Sequence, residues 1–89
     1  MKKKYDLNII GEVGSIHDGS MGNALKAVEV LAECGVNTVK FQTHIASAET
    51  TQNAPNPAYF KGENRFDYFE RTSFTFDQWI KLKEQCERC

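Results

Sequence analysis

Tyr5-Asp6-Leu7-Asn8-Ile9-Ile10-Gly11-Glu12-Val13 and Val36-Asn37-Thr38-Val39-Lys40-Phe41-Gln42-Thr43 are the two stretches on which the fold turns. The first is apolar on both faces over its centre, the pattern of a parallel strand covered by helices. The second is rich in β-branched and aromatic residues and also reads as a strand. Between them residues 14–19 form a loop, and Ser20 stands where an N-cap belongs. Leu25, Val28, Leu31 and Ala32, with Ala24 and Ala27 beside them, then give a helical apolar face that ends at Gly35, a natural C-cap. The spacing predicts a helix over residues 21–34. Strand, helix and strand with short connections make a βαβ unit, which implies parallel strands and a right-handed crossover.

Beyond the second strand the chain changes character. Residues 45–73 form a connection far longer than the usual span of about two to six residues, and it contains Asn53-Ala54-Pro55-Asn56-Pro57. Eight of the ten aromatic residues lie within residues 59–79, a composition that disorder does not favour, so at least the second half is expected to pack. The plainest account of it is a hydrophobic lid without chemistry. Thr75-Phe76-Asp77-Gln78 has capping-box spacing, and a second long helix is predicted from Phe76 to the C-terminus. The order β, α, β, long loop, α is that of the first two βα units of something larger. A (β/α)8 barrel needs about 250 residues and an open doubly wound sheet also needs more strands. Two parallel strands leave both edges unpaired and one sheet face uncovered, so by themselves they are expected to be marginal, oligomeric or aggregation-prone.

Composition bounds the function. With 89 residues, 40% hydrophobic and 26% charged content and a formal charge of -1, the chain is an ordinary globular one and at most one small domain. Its only cationic cluster, Lys2, Lys3 and Lys4, is terminal, so nothing supports a nucleic-acid partner. No window approaches the roughly 18 to 20 apolar residues of a membrane span, and residues 7–13, interrupted by Asn8 and Glu12, are too polar for a signal segment. A cytoplasmic location is the expectation. Three cysteines, an odd number, fit a reducing compartment rather than a disulfide scaffold. Cys86-Glu87-Arg88-Cys89 has the spacing of a redox pair or half a zinc site. Trp79, Leu82, Cys86 and Cys89 also fall on one helical stripe, so both thiols are read as small apolar residues of a core-facing helix. No second such pair is present to complete a metal site.

Side chains alternate across a strand, so Asn8, Ile10, Glu12 and Gly14 are expected on one face of the first strand. Thr38, Lys40, Gln42 and, in a longer strand, His44 share the matching face of the second, with Val39 and Phe41 turned under a helix. Strands run about 4.8 Å apart, so Glu12, Lys40 and Gln42 are expected to converge at the C-terminal rim, where parallel α/β sheets bind ligands. One account makes Glu12 and Lys40 a structural ion pair. The other gives Lys40 a phosphate or carboxylate to hold, lets Glu12 accept hydrogen bonds or a proton, and lets Gln42 offer a donor and an acceptor. Residues 14–19 lack both the G-x-G-x-x-G spacing and the Walker lysine, so a nucleotide loop is not supported. His17 and His44 are weaker candidates, either as ligands or proton shuttles or simply as hydrogen-bonding loop residues.

Glu12-Val13-Gly14-Ser15-Ile16-His17-Asp18-Gly19, followed by Ala32-Glu33-Cys34-Gly35-Val36-Asn37-Thr38-Val39-Lys40-Phe41-Gln42-Thr43, resembles the N-terminal part of the sialic acid synthase (N-acetylneuraminate synthase) family. There the first strand ends in E-[IV]-G-x-N-H-x-G and the second in K-F-Q-T. Phe74-Thr75-Phe76-Asp77-Gln78-Trp79-Ile80-Lys81-Leu82-Lys83 is similar to the start of that family's second helix, so the resemblance covers nearly the whole chain. It implies an α/β fold in which residues 1–89 are the N-terminal part, the first two βα units, of a (β/α)8 TIM barrel left incomplete here. It further implies condensation of phosphoenolpyruvate with an N-acyl amino sugar such as N-acetylmannosamine or its 6-phosphate. The products are a nonulosonic (sialic-type) acid and phosphate. A divalent metal, Mn2+ or Mg2+, is implied, with ligands on later strands outside this chain, as is a homodimer of the full-length enzyme. Lys40 matches a lysine that contacts the phosphoenolpyruvate phosphate, and Glu12 and Gln42 match residues lining the amino-sugar site. Ile16 departs from the family's asparagine and points to a divergent branch using a related sugar. By this resemblance the 89 residues alone are expected to be inactive. The competing readings are another TIM-barrel aldolase or isomerase acting on sugar phosphates, and a non-catalytic truncated interaction module using the aromatic segment.

Overall fold

Backbone pairing between residues 28 positions apart builds the molecule around one parallel ladder. The computed structural model describes residues 7–53, 55–56 and 62–89. Among these, the elements are β1 (Ile10–Gly14), α1 (Met21–Glu33), β2 (Thr38–Phe41), α2 (Ala46–Glu49), α3 (Arg65–Arg71) and α4 (Phe76–Arg88). The βαβ unit expected from the sequence is present, and its strands are parallel. Both strands are shorter than predicted. Tyr5 and Asp6 lie outside the described residues, and residues 7–9 precede the strand. Asn37 closes this end of the sheet by accepting the Ile9 N–H at Oδ1 (2.8 Å) while its own N–H donates to the Ile9 carbonyl (2.9 Å).

The register pairs Ile10 with Thr38, Gly11 with Val39 and Glu12 with Lys40, then shifts so that Gly14 faces Phe41. Val13 is the extra residue of a bulge, and Gly14 takes φ +59°, a left-handed conformation that suits a residue without a Cβ. Simple alternation therefore ends at Glu12.

Both long helices cover the same side of the sheet. Ala24 and Val28 of α1 and Leu82 of α4 form the buried centre, with Val39, Phe41, Phe74, Trp79 and Cys86 packed against it. Gly11 lets α1 approach so closely that a Cβ there would lie 3.0 Å from Leu31 Cδ1. Ser20 caps α1 by accepting the Asn23 N–H (3.1 Å). Thr75 and Gln78 form the capping box the sequence predicts, with reciprocal bonds of 3.2 and 2.8 Å. The apolar run of β1 is covered on one face only, as expected of two strands alone: Ile10 is 55% exposed, because among the described residues nothing packs across the face it shares with Glu12. A core on one side only fits the shape. The extents are 47 × 27 × 20 Å and the radius of gyration 15.1 Å, against about 12 Å for a compact domain of this length.

The long connection is structured in part. It holds α2 and α3, neither of which the sequence reading foresaw, and Asn64 starts α3 by accepting the Asp67 N–H at 2.8 Å. Phe69 is buried, and Phe74 and Trp79 are half-buried, as packing of the aromatic segment required. Phe76 is 79% exposed, while Tyr59 and Phe60 lie outside the described residues. The shared cysteine stripe is also corrected. Cys86 packs on the core, where burial pushes its thiol pKa up, whereas Cys89 is exposed at the end of α4. A raised thiol pKa disfavours the thiolate that redox or metal chemistry needs. No helix among the described residues is long and apolar enough to cross a membrane.

Candidate functional site

The bulge and the register place the strand-end residues that the sequence singles out. Glu12 and Lys40 are direct partners across the ladder, and Lys40 Nζ lies 3.5 Å from Glu12 Oε2. Both side chains are open to solvent, at 65% exposure for Lys40 and 48% for Glu12. The pair is therefore not a buried structural one. Exposed pairs contribute about 0–1 kcal/mol, so an incoming anion can take the ammonium from the carboxylate at little cost.

Gln42 follows the last residue of β2, and its N–H donates to the Gly14 carbonyl at 3.2 Å. Its side chain and that of Glu12 approach the bare backbone of Gly14 from two sides. A Cβ built there would lie 3.2 Å from Glu12 Oε1 and 3.5 Å from Gln42 Nε2. The glycine thus keeps open a small space bounded by a carboxylate and an amide, with the ammonium of Lys40 on the far side of Glu12. Positive charge for an anion, an acceptor for hydroxyl groups and a bifunctional amide stand together on one solvent-facing rim.

The two histidines part company. β2 stops at Phe41, so His44 lies in the turn before α2 rather than on the strand. Its Nδ1 sits 2.9 and 3.1 Å from the two Glu49 carboxylate oxygens, and its Nε2 lies 3.3 Å from Gln42 Oε1. The ring stacks on Phe69 at 4.1 Å with an interplanar angle of 9°. Glu49 also accepts the Ile45 N–H at 2.7 Å, and these contacts, that from His44 foremost, hold its carboxyl below the usual carboxylate range.

His17, by contrast, is 2% exposed. Its Nδ1 accepts the Gly19 N–H (2.9 Å), so the proton of the neutral ring is on Nε2, which is buried with no hydrogen-bond partner among the described residues. The ring lies 4.4 Å from that of Phe74. Burial pushes its pKa down, with the neighbouring Asp18 carboxylate pulling weakly the other way. The structure thus ties His44 to the rim and puts His17 under the loop.

Arg71, which sequence reading missed, fastens that loop. Its guanidinium bonds Asp18 Oδ1 (2.9 Å) and Glu63 Oε1 (2.7 Å), and the two carboxylates push its already high pKa further up. Gly19 passes the Arg71 carbonyl at a distance that would put a Cβ 2.8 Å from the oxygen, so only glycine fits. Asp18 and Arg71 are 53 residues apart, and no local spacing announces the contact. Glu49 was missed for a related reason: its role depends on the turn at residues 42–45, which the predicted longer strand removed. Among the described residues no three His, Cys, Asp or Glu side chains converge to hold a metal ion.

The chain is 29% identical over 83 residues to N-acetylneuraminate-9-phosphate synthase of Drosophila melanogaster, an alignment covering 89% of this chain and 22% of that protein. The chain thus spans under a quarter of the length of that relative. The NeuB family profile matches residues 27–89, which carry Lys40, Gln42 and His44. A match over well more than half of the sequence places this chain in the NeuB family.

Proposed function

We propose that these residues form the opening βα units of a cytosolic sialic-acid-synthase-type TIM barrel. In this reading the barrel condenses phosphoenolpyruvate with an N-acyl amino sugar and releases phosphate. The observation that carries the proposal is the Glu12, Lys40 and Gln42 rim, exposed at the C-terminal ends of paired parallel strands within a NeuB-family sequence. Lys40 binds the phosphate of phosphoenolpyruvate, exchanging its loose contact with Glu12 for a doubly charged partner. Glu12, so released, accepts hydrogen bonds from sugar hydroxyls, and Gln42 recognises the polar groups of the same sugar across Gly14. Carbon–carbon bond formation joins the enolpyruvate carbon to the sugar aldehyde; water then adds to the former enol carbon and phosphate leaves, so the atoms balance.

A divalent cation, Mn2+ or Mg2+, belongs to the proposal but not to the described residues, which supply no donor set for one. The remainder of the barrel and a homodimeric assembly belong to it as well, and the 89 residues alone are inactive in this reading. The test is phosphate release from phosphoenolpyruvate by the barrel-length protein with Mn2+ across a panel of N-acyl hexosamines and their 6-phosphates, with the 89-residue chain as control. Sugar-dependent release by the longer protein alone is the expected result. Release with no sugar in the panel would move the weight to aldol or isomerisation chemistry on sugar phosphates.

A further inference from the structure

Gln42 carries two chemically opposite atoms on one amide, and what it presents to a ligand depends on what holds the other atom. Among the described residues its side-chain oxygen lies 3.3 Å from His44 Nε2. His44 is in turn held on three sides. Glu49 takes Nδ1 with both carboxylate oxygens, Phe69 of α3 stacks on the ring face, and the Ser73 hydroxyl lies 3.2 Å from its backbone carbonyl. Arg65 of α3 lies over the Phe69 ring at 5.8 Å and adds to the field that keeps Glu49 ionised. The residues around His44 therefore come from the β2 end, from α2 and from α3, and of these Gln42 alone borders the space over Gly14 among the described residues.

We propose that His44 is the positioning residue of the rim, fixing which amide atom Gln42 turns toward the space over Gly14 and hence how the acceptor sugar is bound. The inference rests on the reading of Gln42 as a sugar contact. The chemistry leaves little freedom. An ionised Glu49 only accepts, so His44 Nδ1 carries a proton. If the ring is neutral, Nε2 is an acceptor, the Gln42 NH2 group turns to it, and the amide oxygen faces the sugar. If the ring is an imidazolium, Nε2 donates to the amide oxygen and the NH2 group faces the sugar, the arrangement in which a Cβ on Gly14 would lie 3.5 Å from Gln42 Nε2. In either state the orientation is set, whereas without the ring nitrogens the amide rotates freely.

The test is made in the barrel-length enzyme with three variants. His44→Phe keeps a flat ring on Phe69 and removes both nitrogens. Glu49→Gln leaves His44 in place and loosens its clamp. Gln42→Ala removes the oriented group. Losing one oriented hydrogen bond is expected to raise the KM for the acceptor sugar roughly three- to tenfold in His44→Phe. Glu49→Gln moves it in the same direction by less, and the KM for phosphoenolpyruvate stays within about twofold in both. Combined with Gln42→Ala, His44→Phe adds nothing further. A packing role instead raises both KM values together, or adds to the Gln42→Ala effect, and either result overturns the inference. If Gln42→Ala raises the sugar KM while His44→Phe and Glu49→Gln do not, the inference falls and the functional reading stands. If Gln42→Ala itself leaves the sugar KM unchanged, the reading of Gln42 fails and the inference with it.

Discussion

The two faces of the β1–β2 ladder are made from the same backbone, yet one is a core and the other a working surface. Gly11, Val13, Val39 and Phe41 turn toward α1 and α4, while Ile10, Glu12, Thr38 and Lys40 turn away from them. A continuous apolar run does not separate the faces, since Ile9 and Ile10 are as apolar as Val13 and Val39. Charge does. An unpaired Glu or Lys under a helix is too costly, so Glu12 and Lys40 force their face outward and the helices take the other. Apolar content says how much surface a strand can bury, and the charged positions decide which side is left to the ligand.

The contrast can be broken most forcefully from the covered side. Leu82→Ala removes the one α4 side chain in the buried centre, and with so small a core it is expected to cost about 2–5 kcal/mol. Denaturant unfolding of the barrel-length protein should show the loss as a lower midpoint, while the KM values of the folded fraction stay unchanged. A variant with altered KM and normal stability would mean that the closed face takes part in binding.

The open side should behave oppositely. Lys40→Ala exposes no cavity and breaks only a loose surface pair, so unfolding midpoints should move little. In activity, loss of a charge-assisted phosphate contact is expected to lower kcat/KM for phosphoenolpyruvate roughly 10- to 100-fold. Unchanged kinetics for that substrate would return Lys40 and Glu12 to the status of a surface ion pair. Gly14→Ala joins the two faces in a single substitution. Its left-handed φ costs an L-residue about 1–2 kcal/mol, and its Cβ enters the gap between Glu12 and Gln42. Reduced stability together with a raised KM for the amino sugar is expected, and a purely thermodynamic effect would show that the gap is not the sugar's.

These contrasts also mark how far the sequence could be read. The βαβ unit, the Ser20 and Thr75 caps and the convergence of Glu12 with Lys40 follow from local signals: period, capping chemistry and alternation. The same alternation puts Gln42 on this face; what it could not show is the bulge at Val13 and the bare backbone of Gly14 that leaves room beside the amide. The strand ends, α2 and α3 were not legible, since four- and seven-residue helices are fixed by what they dock on rather than by propensity. Arg71 holding Asp18 and Glu49 holding His44 belong to the same class: contacts that exist only once the connection has folded back.

The smallest effect expected is also the one that separates the histidines. His17 is buried with Nδ1 committed to the Gly19 amide and Nε2 unpartnered among the described residues, and burial holds its pKa below that of an unfolded histidine. Between those two values the unfolded chain binds the extra proton and the folded one does not, so stability falls as pH drops. The loss begins at the unfolded value, about 6.5, grows as pH falls, and is complete below the folded value; above about 6.5 the term is flat. His17→Leu is expected to flatten this acid limb, whatever it costs at neutral pH by depriving the Gly19 N–H of its acceptor. Unfolding midpoints compared from pH 7.5 to 5, numbers chosen to span about one unit or more on either side of the free imidazole value, read the slope directly. An acid limb that persists unchanged in His17→Leu would show that burial of this ring does not set the slope.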